Sequence, residues 1–234
     1  MGIALRIMIP DQPGALARAA QAVARAGADV MSITVLESEN GRAVDELRLR
    51  WPSGKNERVL LDAVSACPGT AVLGCRRTRW LLDGRPDLDL LTYMLAVPER
   101  GLETLVDMAP AALDADWAEL RAPASRLPML YGTTTTPRDD LAPEMMPIRA
   151  LGRQDGHRAW ACLPLAAVHS VLVIGRDSGP AFLRSELVHA DRVLDLAMTM
   201  LTQLLGRDTL VGVSELTAHL RPTSHGDARV ASTG

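Results

Sequence analysis

Aromatic side chains make up only 3% of the 234 residues, cysteine occurs three times, and Lys55 is the one lysine. So few rings exclude a stacking platform for single-stranded bases. A formal charge of −3 gives no general attraction to a polyanion, so no nucleic-acid partner is expected. Cys67, Cys75 and Cys162 are odd in number, widely spaced and set in apolar segments. None belongs to a C-x-x-C, and no histidine stands at metal-ligand spacing from them. Buried, reduced thiols are the expectation, which suits a cytoplasmic protein. No apolar run approaches the ~18 residues that a bilayer demands, and the opening residues lack the basic-then-apolar layout of a signal peptide, so no membrane partner is expected. The near-replacement of lysine by arginine reads as compositional bias.

Catalytic signatures are missing too. The chain has no G-x-S-x-G, P-loop, G-x-G-x-x-G or H-E-x-x-H. His157, His169, His189, His219 and His225 are scattered, and each reads as a surface or capping residue. Asp139 and Asp140 are adjacent loop acids, better read as solvated than as a metal site. The threonine run Thr133 to Thr136 reads as a turn-forming loop. Arg76, Arg77 and Arg79 read as solvated charge at a boundary. No catalytic residue, metal or cofactor is assigned.

What is present is a strand, a tight turn and a helix. Ile3, Leu5, Ile7 and Ile9 alternate along one face of a strand. Asp11-Gln12-Pro13-Gly14-Ala15-Leu16 follows, and then Leu16, Ala20, Val23 and Gly27 recur at helical spacing. Pro13 suits the first helical position, and Gly14, without a Cβ, leaves room for a close approach. Free N–H groups at a helix start favour an anion, and Asp11 supplies a carboxylate at the rim. The turn therefore suits a small zwitterion, Asp11 meeting the ammonium and the N–H groups of Gln12 to Ala15 the carboxylate; the plainer alternative is a well-made helix start with nothing bound.

Further along, Val30 to Leu36 alternates, with Met31, Ile33 and Val35 opposite Ser32 and Thr34. Asn40-Gly41 signals a two-residue hairpin. Leu47 and Leu49 oppose Glu46, Arg48 and Arg50 on the return strand. Val59, Leu60, Ala63, Val64 and Cys67 form a second helical stripe, stopped by Pro68-Gly69, and Ala71 to Cys75 marks a fourth strand. The order is β-α-β-β-α-β, a ferredoxin-like split βαβ plan. With the hexapeptide in its first turn, this stretch resembles the ACT domain, an amino-acid-sensing module, over about residues 2–78. The resemblance implies a paired domain with an amino acid near the first turn. The candidate ligand-binding residues are Asp11, Gln12, Pro13, Gly14, Ala15 and Leu16, together with Ser32, Ile33 and Thr34 on the second strand.

Residues 79–87 are charged and rich in turns and read as a linker, with Trp80 to Leu82 packed on one of its neighbours. Leu88 to Val97 and Leu102 to Leu113 read as helices, the second broken in its last turn by Pro110. Strands are expected at Trp117 to Leu120, Leu127 to Tyr131, Ala159 to Leu165 and Ser170 to Gly175, the last apolar on both faces and so central. A helix from Leu183 to Leu205 carries Leu183, Leu187, Ala190, Leu194, Ala197, Leu201 and Leu204 in alternating steps of four and three, a coiled-coil-like seam. Val193, Leu196 and Met200 widen that surface, so a partner helix from a second subunit is expected, the alternative being packing within the chain.

Cys162-Leu163-Pro164-Leu165 through Gly175, then Gly179 to Phe182 and the long helix, resembles a GAF domain, as does Ala115 to Leu120. That resemblance covers about residues 86–206 and lacks the cyclic-nucleotide pattern of the family. Val211 to Leu220 suggests a short helix in a tail, 207–234, that is largely disordered.

The whole reads as α+β: an ACT-like unit over 1–78, a linker over 79–87, and a GAF/PAS-like α/β sandwich with a long C-terminal helix over 88–206. It implies a non-enzymatic regulatory sensor of an amino acid, acting as a homodimer or higher homo-oligomer. The alternative is a ligand-free assembly protein with both pockets empty.

Overall fold

A computed structural model describes residues 1–78, 85–121, 129–133 and 147–209. Trp80 to Leu82, Arg79, Thr134 to Thr136, Asp139, Asp140, His219, His225 and the proposed helix Val211 to Leu220 lie outside them. The architecture is α+β, two antiparallel sheets each with helices on one face.

The first sheet is built from β1 (Gly2–Pro10), β2 (Asp29–Glu39), β3 (Arg42–Arg50) and β4 (Ala71–Thr78), with α1 (Ala15–Arg25) after β1 and α2 (Arg58–Ser65) before β4. The strands lie in the order β2-β3-β1-β4, every neighbour antiparallel. Alternation places Ile3, Leu5 and Ile7 beside Leu47 and Leu49 on one face, fully buried with Ala19, Val23, Leu60 and Val64 of the helices. Asn40 and Gly41 take positive φ values of 53° and 71°, as a type I′ turn requires, and join β2 to β3.

Lys55 has a structural task. Its ammonium lies 5.5 Å from the Trp51 ring centroid and donates to Ala26 O at the C-terminal end of α1. The Trp51 indole in turn donates to Lys55 O at 3.0 Å. A cation at a helix C-terminus satisfies a carbonyl with no intrahelical partner and complements the dipole.

The second unit comprises α3 (Pro86–Ala96), α4 (Gly101–Ala112), β5 (Trp117–Arg121), β6 (Met129–Gly132), β7 (Leu151–Asp155), β8 (Arg158–Leu165), β9 (Ser170–Arg176) and α5 (Arg184–Leu205). Its sheet runs β6-β5-β9-β8-β7. β9 is central and buried along its whole length, as its unbroken apolar run requires. β7 was not anticipated: Leu151-Gly152-Arg153-Gln154-Asp155 has no alternation, and pairing with β8 makes it a strand. α4 continues through Pro110 to Ala112. Only two residues follow that proline, and its carbonyl accepts from Ala115 N–H at 2.9 Å, so its disruption is confined to the helix end.

The seam of α5 departs from its expected use. Leu194 is 2% exposed, Leu201 is fully buried, and Ala190 and Ala197 join them in the core with Leu90, Met94, Leu105 and Leu163. From Ala190 to Leu201 the heptad-like stripe is filled by the chain's own helices and sheet, whereas Leu204 is 55% exposed and Leu196, which widens the stripe, 50%. Among the described residues no helix is long and apolar enough to cross a membrane.

Candidate functional site

The β1–α1 turn is partly closed on itself. α1 starts at Ala15, with Gly14 as its N-cap at φ 84°, so Pro13 belongs to the turn and not to the helix. A Cβ on Gly14 would meet Arg18 Nη1 at 3.5 Å, an ordinary contact. Glycine is needed here for its left-handed backbone, not for space. Gln12 N–H donates to Pro10 O at 2.9 Å and Ala15 N–H to Gln12 O at 3.2 Å. Gly14, Leu16 and Ala17 are left with N–H groups that find no acceptor among the described residues. Asp11 is exposed; its N–H donates to Gly41 O, and its carboxylate accepts the Ser38 hydroxyl at 2.6 Å.

The strand residues of the candidate set divide between two faces. Ile33 pairs with Leu47 on the helix-covered face, whereas Ser32 pairs with Arg48 and Thr34 with Glu46 on the opposite one. Thr34 thus shares no face with Ile33 and points toward the second unit, where it lines a cleft.

Sequence reasoning passed over Asp45. It pairs with Ile7 and Val35 on the apolar face, is 1% exposed, and has no donor to its Oδ1 among the described residues. Burial pushes its carboxyl up from the usual range, and the neighbouring charge of Asp11 adds to the shift. The signal was available, because an acid stands between Ala43 and Leu47 at a core position of an alternating strand.

The opposite face of the first sheet carries a buried ionic seam to the second unit. Arg6 reaches Glu46 at 2.7 Å, Glu186 at 2.8 Å and Ala181 O at 3.0 Å. Arg48 pairs with Glu46 at 3.0 Å and with Asp114. Arg76 pairs with Asp114 and, at 3.2 Å, with Asp116. Arg176 reaches Asp114 at 3.2 Å and Glu186 at 2.6 Å, and its guanidinium lies 4.0 Å from the Phe182 ring centroid. Arg76 is therefore not solvated boundary charge: it is 4% exposed, because its place in β4 turns it toward the second unit, while Arg77 alternates outward. At the same junction Gly74 permits contact, since a Cβ there would fall 2.6 Å from Pro180 Cδ.

Four guanidiniums meet four carboxylates. Burial alone would raise the Asp114 carboxyl, but Arg76, Arg176 and Arg48 together hold it well below the usual carboxylate range. Burial likewise opposes ionisation of Glu186, and Arg176 and Arg6 reverse it. Glu46, Asp114 and Glu186 offer oxygens within 4.8 Å of one another, the spacing of a cation site, yet arginines already occupy all three. The arrangement is a structural ion network and not a metal centre.

Beside this seam opens a cleft of about 340 Å³ between the units. Leu36, Ala112 and Leu113 give it apolar walls; Thr34, Arg48, Ser185 and His189 are its polar residues beyond the paired carboxylates. His157 and His169 lie elsewhere, the latter closing a turn at φ 48°. The three cysteines are free, and burial pushes the Cys75 thiol up to about 11 and the Cys162 thiol up to about 12, far from thiolate reactivity.

No protein-family model and no curated protein matches the chain. Among solved structures, one similar chain is an unknown protein from Galdieria sulphuraria, 14% identical, with 88% of this chain and 93% of that one covered at a TM-score of 0.31. Another is a formyltetrahydrofolate deformylase from Pseudomonas putida KT2440, 10% identical, with 93% and 94% covered at a TM-score of 0.28. Similarity this slight assigns neither fold family nor activity.

Proposed function

We propose that the chain is a non-enzymatic regulatory sensor in which an ACT-like first unit binds an amino acid and a GAF-like second unit responds. The β-α-β-β-α-β order, the sheet order and the position of Asp11 to Leu16 in the first turn support the ACT-like reading. Helices on one face of a five-stranded antiparallel sheet, ending in a long helix, support the GAF-like one.

The observation that carries the reading is Asp45. A buried carboxylate beside a second carboxylate, with no cation paired to either among the described residues, favours an incoming ammonium. The N–H groups of Gly14, Leu16 and Ala17 offer the matching seat for a carboxylate at the start of α1. Ligand bound there acts on β1 and β3, whose opposite face holds Arg6, Glu46 and Arg48, so a small displacement of either strand reaches the seam. Coupling of this kind requires an arrangement of the units that the ligand favours over another.

The hydrogen bond from Ser38 to Asp11 favours the second reading, a turn satisfied by its own side chains and a protein that serves only assembly. A thermal-shift and calorimetric survey of the twenty amino acids separates the two. Sensing requires at least one to raise the melting temperature by mass action and to lose its effect in Asp45→Asn. If all twenty leave melting and heats unchanged at millimolar concentration, assembly is the function. With most of the α5 seam spent internally, self-association in either reading draws on the first unit, whose edge strand β2 exposes Ile33 and Val35 at 39% and 59%.

A further inference from the structure

We propose that the cleft between the two units is a second ligand site, one that takes a short organic carboxylate with an apolar tail and no ammonium group. It is distinct from the β1–α1 turn, which lies at the end of β1 and draws on Asp45 from the other face of the sheet.

The balance of donors and acceptors selects this chemistry. The carboxylates that line the cleft, Glu46, Asp114 and Glu186, each accept from two or three arginines. They have little left to offer a ligand cation. Donors, in contrast, are in surplus. The Ser185 hydroxyl is buried and has no partner among the described residues. Arg48 spends Nη1 on Thr78 and Nη2 on Glu46 and Asp114, which leaves its Nε–H without an acceptor among the described residues. Ser185 also stands in the first turn of the 22-residue helix α5, where the dipole favours negative charge. One carboxylate group that reaches Ser185 and Arg48 satisfies both, and it takes the place of the Glu37 carboxylate, which accepts the Ser185 N–H at 3.4 Å.

The remainder of such a ligand meets Leu36, Ala112 and Leu113. A volume of about 340 Å³ is at the small end of small-molecule sites, so the tail is short and branched-chain acids are apt. An amino acid is disfavoured because its ammonium would lie beside the cleft's guanidiniums, with the Glu37 carboxylate, which already accepts the Ser185 N–H, as its one acidic acceptor among the described residues not held by arginine. Leu36 and Arg48 come from the first unit, and Ser185 and Leu113 from the second. A molecule in this cleft therefore contacts both sides of the junction and stabilises the closed arrangement over any opened one.

The test is titration of the intact chain with sodium isovalerate and sodium 2-oxoisovalerate, with valine as the contrast, followed by calorimetry and by amide chemical shifts. Both acids are expected to bind saturably at millimolar concentration or below, and valine at least about tenfold more weakly, given the scale of an unmet charged hydrogen bond. Ser185→Ala removes an unpaired hydroxyl, so it retains the fold, and it weakens binding about tenfold. Ala112→Phe fills the cleft and abolishes binding, with melting curves confirming that the variant is folded. Asp45→Asn, which acts on the turn, leaves the affinity for both acids unchanged. Absence of a saturable response in the unmodified chain overturns the proposal. So does a response that survives both cleft variants, or one that disappears in Asp45→Asn.

Discussion

Arg6 of β1 and Arg176 of β9 close on a single oxygen, Glu186 Oε1, at 2.8 and 2.6 Å. Both arginines are essentially without solvent contact, and each stands on an interior strand of a different sheet. Glu186 also accepts the Leu183 N–H with its other oxygen at 2.8 Å, which caps α5. One carboxylate therefore fastens the two sheets and starts the long helix.

Replacing that carboxylate by its neutral isostere leaves two buried guanidiniums short of a counter-charge. Glu186→Gln, and equally Asp114→Asn, is expected to cost about 3–5 kcal/mol, the usual penalty for breaking a buried pair from one side. Urea unfolding measures it. Separation of a single transition into two in either variant would show that the seam is what makes the units melt together.

Acid stability follows from the same residues. Asp114 and Glu186 have folded-state values below the ordinary carboxylate range. Their stabilisation is thus complete above the unfolded value, near about pH 4, and is lost as the pH falls further toward the folded value. Asp45 works in the opposite sense: its raised value makes its contribution complete at low pH and lost as pH rises through the folded value. Melting temperatures are expected to drop steeply below about pH 4, and to drop less in Asp114→Asn, which starts lower and has one such group fewer.

Asp45→Asn should separate stability from function. Removal of a buried, uncompensated charge is expected to stabilise the protein at neutral pH, on the order of 1 kcal/mol, while eliminating the ammonium seat. A higher melting temperature together with loss of the amino-acid response is the expected pair of results, the trade-off typical of a binding group held in an unfavourable setting. A destabilised variant would instead show Asp45 to be satisfied by its surroundings.

Self-association distinguishes two surfaces. Leu201→Asp is expected to unfold the second unit whatever the subunit count, because it puts a charge into the chain's own core; loss of its near-ultraviolet circular dichroism reports this. Val35→Asp, on the exposed edge strand, is expected to leave the fold intact and to lower the mass seen by light scattering. A chain that is monomeric before substitution, at tens of micromolar, removes the premise.

Local periodicity made much of the framework legible. Ile3, Leu5 and Ile7, the Asn40-Gly41 turn and the apolar run of β9 each specify their element within a few residues, through side-chain parity or backbone conformation. The seam was not legible for a physical reason. Arg6, Glu46 and Arg48 alternate with apolar residues just as a solvated strand face does, and the acids that neutralise them lie far along the chain. The α5 stripe is ambiguous in the same way, because Leu194 and Leu201 have one spacing whether they meet a partner helix or their own sheet. Asp45 is a different case: its parity with Leu47 and Leu49 puts it on the core face, a signal the sequence carries and the sequence reading passed over.

The Lys55 ammonium, set over Trp51 and against Ala26 O, is the only side-chain amine in the chain. Amine-directed reagents therefore modify side chains at one defined point, and a conjugate or fluorophore on Lys55 is homogeneous once the more acidic α-amino group has been blocked. Attachment also detaches the cation from the end of α1, so the yield of labelling under mild conditions reads how often that helix end opens. A dye at Lys55 has Trp51 as its immediate neighbour, which makes its emission a local gauge of the β3–α2 connection without any engineered cysteine.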